Sequence, residues 1–498
     1  MKRILKGIFL SAAVLVAASS CKDFLETSPT SSVSDSQVFT SVKGAQAALN
    51  GCYYYFNFGS VYSDRGDDNG YICHLMTIDA RGEDIICDGG WYNFDYQYLE
   101  GYRRADSWKN YSMWFFYYTL INNLNSILVY TPGIEGDETE KAAIMGQAYA
   151  LRGWSYFMLA QFYQQTYTSA KKNNLPGVPI YTEPTTSTTE GKGRGTIDDT
   201  FDQILGDLKA AELALDGFSR TSKHHIDKQV VEGMLAHVNL VMNNWSDARK
   251  YAALARAGYP MTTNDDWKAG FNDLATGSWI WGVKQDTENQ FLATGDYTPF
   301  AQWANKITRG SSDEFWSFNG FWSPEDFVAL FEDSDIRAER FILDASGVWT
   351  SGKFYDNLER TGNFPYMRTE DLLLVEAEAA AQDGDYSYAG DLLRSLQTLR
   401  GASTSTATRE DLIEEILLER RKELYGEGYA SFDIIRSHKG LERTGDHINH
   451  SGNIVLTPGS WILIYQLPVT EMTNNPNIDS QVWPAGDQNP IDAVLANL

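Results

Sequence analysis

Two stretches of this 498-residue chain set large aromatic rings among Gly, Asn, Asp and Ser. Residues 91–118 hold 13 aromatics in 28 positions, and residues 297–322 hold eight in 26, densities that call for a use. The chemistry such rings offer is stacking. A sugar ring has apolar C–H faces and hydroxyl edges, so it suits an indole or phenol beside an amide, carboxylate or guanidinium. Trp91 and Asn93, just after Gly89-Gly90, are candidate contacts, as are Tyr297, Trp303 and Trp316 in a segment with few helical stripes. Binding residues concentrate on loops carried by a rigid scaffold. The competing use is packing. It explains most of the aromatic content and is the better account of residues 108–130; in residues 297–322 it would take the form of a satellite core beneath loops.

Catalytic signatures are absent from the sequence. There is no G-x-S-x-G, H-E-x-x-H, Walker loop or Rossmann glycine fingerprint. Gly191-Lys192-Gly193-Arg194-Gly195-Thr196 is a flexible basic loop, and His224-His225 and His447-Ile448-Asn449-His450 fit exposed loop histidines better than metal ligands. Asp67-Asp68, Glu83-Asp84 and Asp313-Glu314 could each supply a glycosidase with two carboxylates. With 66 acidic residues in the chain, such pairs arise by chance. No cofactor or metal is expected. A formal charge of −25 opposes nucleic acid or an anionic surface as partner, and is compatible with neutral ligands.

The N-terminus has the form of a targeting segment. Lys2, Arg3 and Lys6 precede an apolar run over 8–18, followed by Ser19-Ser20-Cys21. The run is shorter than the ~20 residues that span a bilayer as a helix. Small residues ahead of a Cys resemble a bacterial lipobox, which implies cleavage before Cys21 and lipidation of it. Residues 23–36, rich in Ser and Thr, follow as a tether. Cys52, Cys73 and Cys87 then form an odd set, leaving open one disulfide (Cys73 with Cys87) or three buried thiols.

The elements that position these residues are mostly helical. Apolar periodicity predicts helices over 37–56, 108–130, 147–165 and 386–399, and over 367–380, where Leu372, Val375 and Ala379 share a face. Thr196 caps a helix running to about 215, and Thr408-Arg409-Glu410-Asp411 has the form of a capping box for another, with Leu412, Ile413, Ile416, Leu417, Arg420 and Leu424 inward. Residues 59–83 and 182–195 read as loops. Residues 232–257 overlay 373–398, with Ala236 on Ala377, Trp245 on Tyr386 and Ala248 on Ala389, as in half of a tetratricopeptide unit. Scattered helical hairpins follow, not a solenoid.

Six segments carry a resemblance. Arg368-Thr369-Glu370-Asp371-Leu372-Leu373-Leu374-Val375-Glu376-Ala377 and Ile416-Leu417-Leu418-Glu419-Arg420-Arg421-Lys422-Glu423-Leu424-Tyr425-Gly426 resemble C-terminal signatures of the SusD/RagB family of outer-membrane nutrient-binding lipoproteins. Leu467-Pro468-Val469-Thr470-Glu471 and Gln488-Asn489-Pro490 resemble its closing segments, although Ile491-Asp492 departs from the usual ending. Gly146-Gln147-Ala148-Tyr149-Ala150-Leu151-Arg152, with Pro176-Gly177-Val178-Pro179-Ile180 after it, is similar to an N-terminal family helix. The resemblance implies a mostly α, SusD-like fold: a tetratricopeptide-like helical hairpin scaffold with a loop-rich insertion. Its divisions would be a signal peptide (1–20), a lipid-proximal tether (21–36), an N-terminal region (37–269), the aromatic insertion (270–362) and a C-terminal region (363–498). It further implies a non-catalytic glycan binder held to the outer membrane by lipid on Cys21, with a TonB-dependent SusC-like transporter as partner. A surface glycoside hydrolase, or a protein-binding subunit with peptide or glycoprotein cargo, stands as the alternative. An arginine beside the N-terminal rings belongs to the family's ligand platform, which adds Arg81 to Trp91 and Asn93.

Overall fold

Helices α1 (Val42–Phe58), α2 (Gly70–Ala80), α3 (Trp108–Tyr130) and α4 (Glu138–Tyr163) build the N-terminal body of the chain, here a computed structural model. It describes residues 38–62, 68–87, 96, 103–167, 175–285, 321–343, 347–354, 362–447 and 451–478. α1 starts at Ser41, whose side chain accepts from Gly44 N, later than periodicity suggests, and buries Ala45, Leu49, Cys52 and Phe56. α2 falls where the sequence reads as loop. All 11 of its residues are buried, so it has no polar face to create a helical period. α4 begins earlier than expected, at the Asp137 cap, because its first residues are exposed and carry no apolar stripe.

α5 (Ile197–Ala214) opens with a complete capping box, Thr196 and Asp199 each bonding the other's backbone. It packs along α4 at close range. A Cβ on Gly153 would lie 3.1 Å from Asp207 Cβ, and Arg152 donates to both Asp207 oxygens at 2.8 and 2.6 Å.

The repeat seen in the sequence is real in space. α6 (Lys228–Val241) with α7 (Trp245–Ala255), and α10 (Thr369–Gln382) with α11 (Tyr386–Arg400), are helical hairpins, and α7 packs on α10. Ala236, Ala248, Ala377 and Ala389 are each 0% exposed, which is what close helix approach needs. Between the hairpins lie two short helices, α8 (Asn264–Lys268) and α9 (Glu325–Val328). α11 ends at Gly401, φ 75°, a left-handed cap.

α12 (Glu410–Glu423) departs from expectation at its start. Its N-cap is Arg409 at φ 56°, and no side chain caps it, so Thr408 is not a capping residue. α13 (Ala430–Arg436) and α14 (Val469–Asn474) follow. Among the described residues eight short strands pair antiparallel in twos: β1 (Ile86–Cys87) with β3 (Phe321–Trp322), β2 (Trp279–Val283) with β6 (Phe364–Arg368), β4 (Phe341–Leu343) with β5 (Trp349–Ser351), and β7 (Leu441–Arg443) with β8 (Ile454–Leu456). Cys52, Cys73 and Cys87 are buried thiols outside any disulfide, which settles the open cysteine question.

The family-like C-terminal segments fold into a buried charge network. Arg368 meets Glu370, Glu423 and Glu427 at 2.7–2.9 Å, and Arg400 bridges Glu370 and Glu423. Arg337 reaches Glu423 from a third side at 2.9 Å. Burial alone would raise the Glu423 carboxyl, but Arg400 and Arg368 overcome it and hold the pKa well below the usual carboxylate value. Glu419, Arg420 and Arg421 make ion pairs, as the sequence suggests.

Candidate functional site

Of the proposed sugar contacts, Arg81 is the one that the described residues include. It stands at the C-cap of α2 and is 2% exposed. Its Nη2 donates to Ile462 O at 3.0 Å and its guanidinium lies 4.9 Å from the Tyr465 ring centroid. That placement ties α2 to the C-terminal segment and keeps the group away from any open surface, contrary to the expected sugar contact. Trp91, Asn93, Tyr297, Trp303, Trp316 and Cys21 lie outside the described residues.

The frame that carries the two aromatic segments is well defined. Cys87 pairs with Phe321 and Ile86 with Trp322. In an antiparallel ladder, the chain leaving β1 and the chain entering β3 therefore meet at the same end. Tyr96, within the first segment, is sealed at 0% exposure. Its hydroxyl is 2.7 Å from His447 Nδ1, and the Arg443 guanidinium lies over its ring at 4.5 Å. Arg443 also donates to Gly82 O and Ala80 O, both at 2.9 Å. Burial lowers its pKa to about 10, so it stays charged at neutral pH.

His447 corrects an expectation. It is buried, and its Nε2 is 2.8 Å from Glu83 O, so both ring nitrogens are engaged within the protein. His224 and His225 are half-buried and packed on each other. Among the described residues no group of three or more His, Cys, Asp or Glu could hold a metal ion.

The acidic pairs are tied down where they are seen. Arg421 clamps Asp84 at 2.5 Å and Glu83 at 3.4 Å. Burial raises the Glu83 carboxyl, with Arg421 opposing. Asp68 accepts from Val61 N and Tyr62 N at 3.0 and 2.6 Å and from the Ser112 hydroxyl. Asp67, Asp313 and Glu314 are outside the described residues.

Open depressions mark the described body, and two of them matter here. One, about 520 Å³, lies between residues 79–85, α12 and α13, with Asp84, Arg421, Tyr425 and Leu418 in its lining. The other, about 500 Å³, runs along α3, facing the 181–189 loop and α14. Sequence reasoning missed the second, because it assigned the rings of α3 to the core. Trp114, Phe116 and Tyr117 are indeed buried, but Phe115 is 43% exposed. The missed signal is a second stripe, Tyr111, Phe115, Tyr118 and Asn122, at helical spacing on the other side of α3.

Comparison with known proteins places this geometry. A SusD-like family model, described as "Starch-binding associating with outer membrane", matches residues 23–240. A SusD-like protein of Formosa agariphila is 23% identical over 505 residues, covering 88% of this chain and 93% of that protein. A SusD-like carbohydrate binding protein from Bacteroides vulgatus is similar in structure, with TM-score 0.77 and 28% identity over 88% of this chain and 97% of the other. A laminarin binding SusD-like protein shares the fold at TM-score 0.68 and 20% identity, over 88% and 98% of the two chains.

Proposed function

Since the chain belongs to the SusD-like family, we propose that it captures a glycan at the cell surface without turning it over and delivers it to a TonB-dependent SusC-like transporter. The observation that carries this reading is the Cys87–Phe321 pairing. It joins, at one end of one ladder, the chain that runs on to Trp91 and Asn93 and the chain that arrives from Trp316. Two aromatic segments more than 200 residues apart thus share one root on a packed frame. Rings from Trp91, Tyr297, Trp303 and Trp316 would stack on sugar faces while Asn93 selects hydroxyls. Lipid on Cys21 would hold the body to the outer membrane. Each acyl CH₂ buried contributes about 0.8 kcal/mol to such attachment.

The test is affinity electrophoresis of the chain from Lys22 onward in gels containing starch, laminarin, xylan or cellulose derivatives. Retardation by at least one polysaccharide, lost on changing Trp91, Trp303 and Trp316 to Ala, supports the reading. Retardation untouched by the triple change sinks that choice of residues. Release of reducing ends by pure protein, abolished by changing one carboxylate, would replace binding with hydrolysis.

A further inference from the structure

We infer that the depression along α3 is a second carbohydrate site, one that takes a short neutral oligosaccharide; the inference rests on reading the chain as a glycan binder. Its floor is the outward stripe of α3. Tyr111 and Phe115 are one turn apart, their ring centroids 5.6 Å from each other and tilted by 33°. Isolated exposed apolar side chains are ordinary on protein surfaces. Here the exposed Phe115 continues into Tyr118 and Asn122, so the apolar platform runs directly into hydrogen-bonding groups.

The facing wall is a run of hydroxyls. Thr185 donates through N and Oγ1 to Asn122 Oδ1 at 2.7 and 2.9 Å. The Asn122 amide nitrogen has no partner among the described residues, which leaves a half-buried donor at the end of the platform. Thr186 and Thr189 line the same wall. The wall is built before any ligand arrives. Asn125 donates to Tyr181 O and Glu183 O at 3.0 and 3.1 Å, Tyr156 donates to Tyr181 O at 2.8 Å, and Tyr118 donates to Pro179 O at 2.8 Å. A preformed wall costs little ordering on binding.

Volume and charge narrow the ligand. About 500 Å³ lies within the ~300–1,000 Å³ of small-molecule sites and suits a few sugar rings better than a folded partner. Among the lining residues Glu471 alone is charged; a nearby cation, Lys192, is taken up over the Tyr181 ring at 5.5 Å. A neutral ligand fits, with the Glu471 carboxylate and the threonines accepting from its hydroxyls.

The experiment titrates the full chain in detergent micelles with laminarihexaose, maltohexaose and cellohexaose, with an oligogalacturonate as anionic control. At least one neutral hexasaccharide is expected to bind at two sites per chain, and the galacturonate not to occupy this one. Tyr111→Ala with Phe115→Ala removes one site or weakens it at least 10-fold. Asn122→Asp keeps the acceptor for Thr185 but loses the donor, and weakens the same site about 10-fold. Unchanged melting temperatures separate these effects from unfolding. Trp91→Ala with Trp316→Ala leaves the α3 site intact. One site per chain that vanishes with the Trp changes and ignores Phe115 overturns the inference while the proposed function stands. The converse removes the first site and leaves this one. No binding of any of the three hexasaccharides overturns it too.

Discussion

The two depressions are nearly equal in volume, about 520 and 500 Å³, and opposite in what their polar groups are free to do. Beside α12, the basic groups already have partners within the protein: Arg421 holds Asp84, Arg420 holds Asp433 and Lys439 pairs with Glu414. Along α3 the groups other than Glu471 are neutral hydroxyls and amides, some with bonding capacity left over. A guanidinium clamped by carboxylates must break those contacts to meet a ligand, whereas an uncommitted amide gives up only water. Similar concavity therefore implies different roles. The charged side reads as architecture, the neutral side as recognition.

Changes that probe this contrast should differ most on the charged side. Glu423→Ala leaves Arg368, Arg400 and Arg337 buried with fewer carboxylates, and should cost about 3–5 kcal/mol in urea unfolding. A loss under 1 kcal/mol would break the contrast. Next comes acid sensitivity in the aromatic half. His74, 2.8 Å from the Tyr117 hydroxyl, has its pKa lowered from 6.5 to about 3 by burial, with Lys109 adding to it. The unfolded chain takes up a proton near 6.5 and the folded one not until about 3. Stability from this group is thus full above 6.5 and falls as pH drops toward 3, by at most about 1.4 kcal/mol per pH unit. His74→Phe should flatten that slope in unfolding midpoints measured from pH 7 to 4.

Helix starts sharpen the comparison further. Thr196→Ala should cost about 1 kcal/mol because its cap is made, while Thr408→Ala should stay within about 0.5 kcal/mol because none is made there. The smallest stability effect belongs to the recognition side. Phe115→Ala, at a 43% exposed site, should change unfolding by about 0.5 kcal/mol or less while weakening sugar binding.

That pair of threonines also shows how far the sequence could be read. Both begin the same S/T-x-x-D/E pattern, yet at the second the backbone enters the helix through Arg409 at positive φ, which no pattern encodes. The hairpins were legible because small alanines and one apolar stripe recur wherever two helices must approach. α2 was not, since burial on every side erases its period. The charge network was visible as a string of Glu and Arg in family-like segments, but its closure through Arg337 needs a chain contact across 86 positions. At the site, rings could be counted but not oriented. Phe115 and Phe116 are neighbours in sequence, yet one is exposed and the other buried, and Arg81 looked like a ligand contact until burial against Tyr465 gave it a structural role.

Hydroxyl-radical footprinting of the aromatic rings, with and without a retained polysaccharide, tests the central claim most directly. Trp91, Trp303 and Trp316 should become protected by the glycan, while the interior Trp267, Trp279 and Trp281, each 2% exposed or less, stay unreactive throughout. Protection absent from Trp91, Trp303 and Trp316 alike, with the polysaccharide demonstrably bound, would contradict the account.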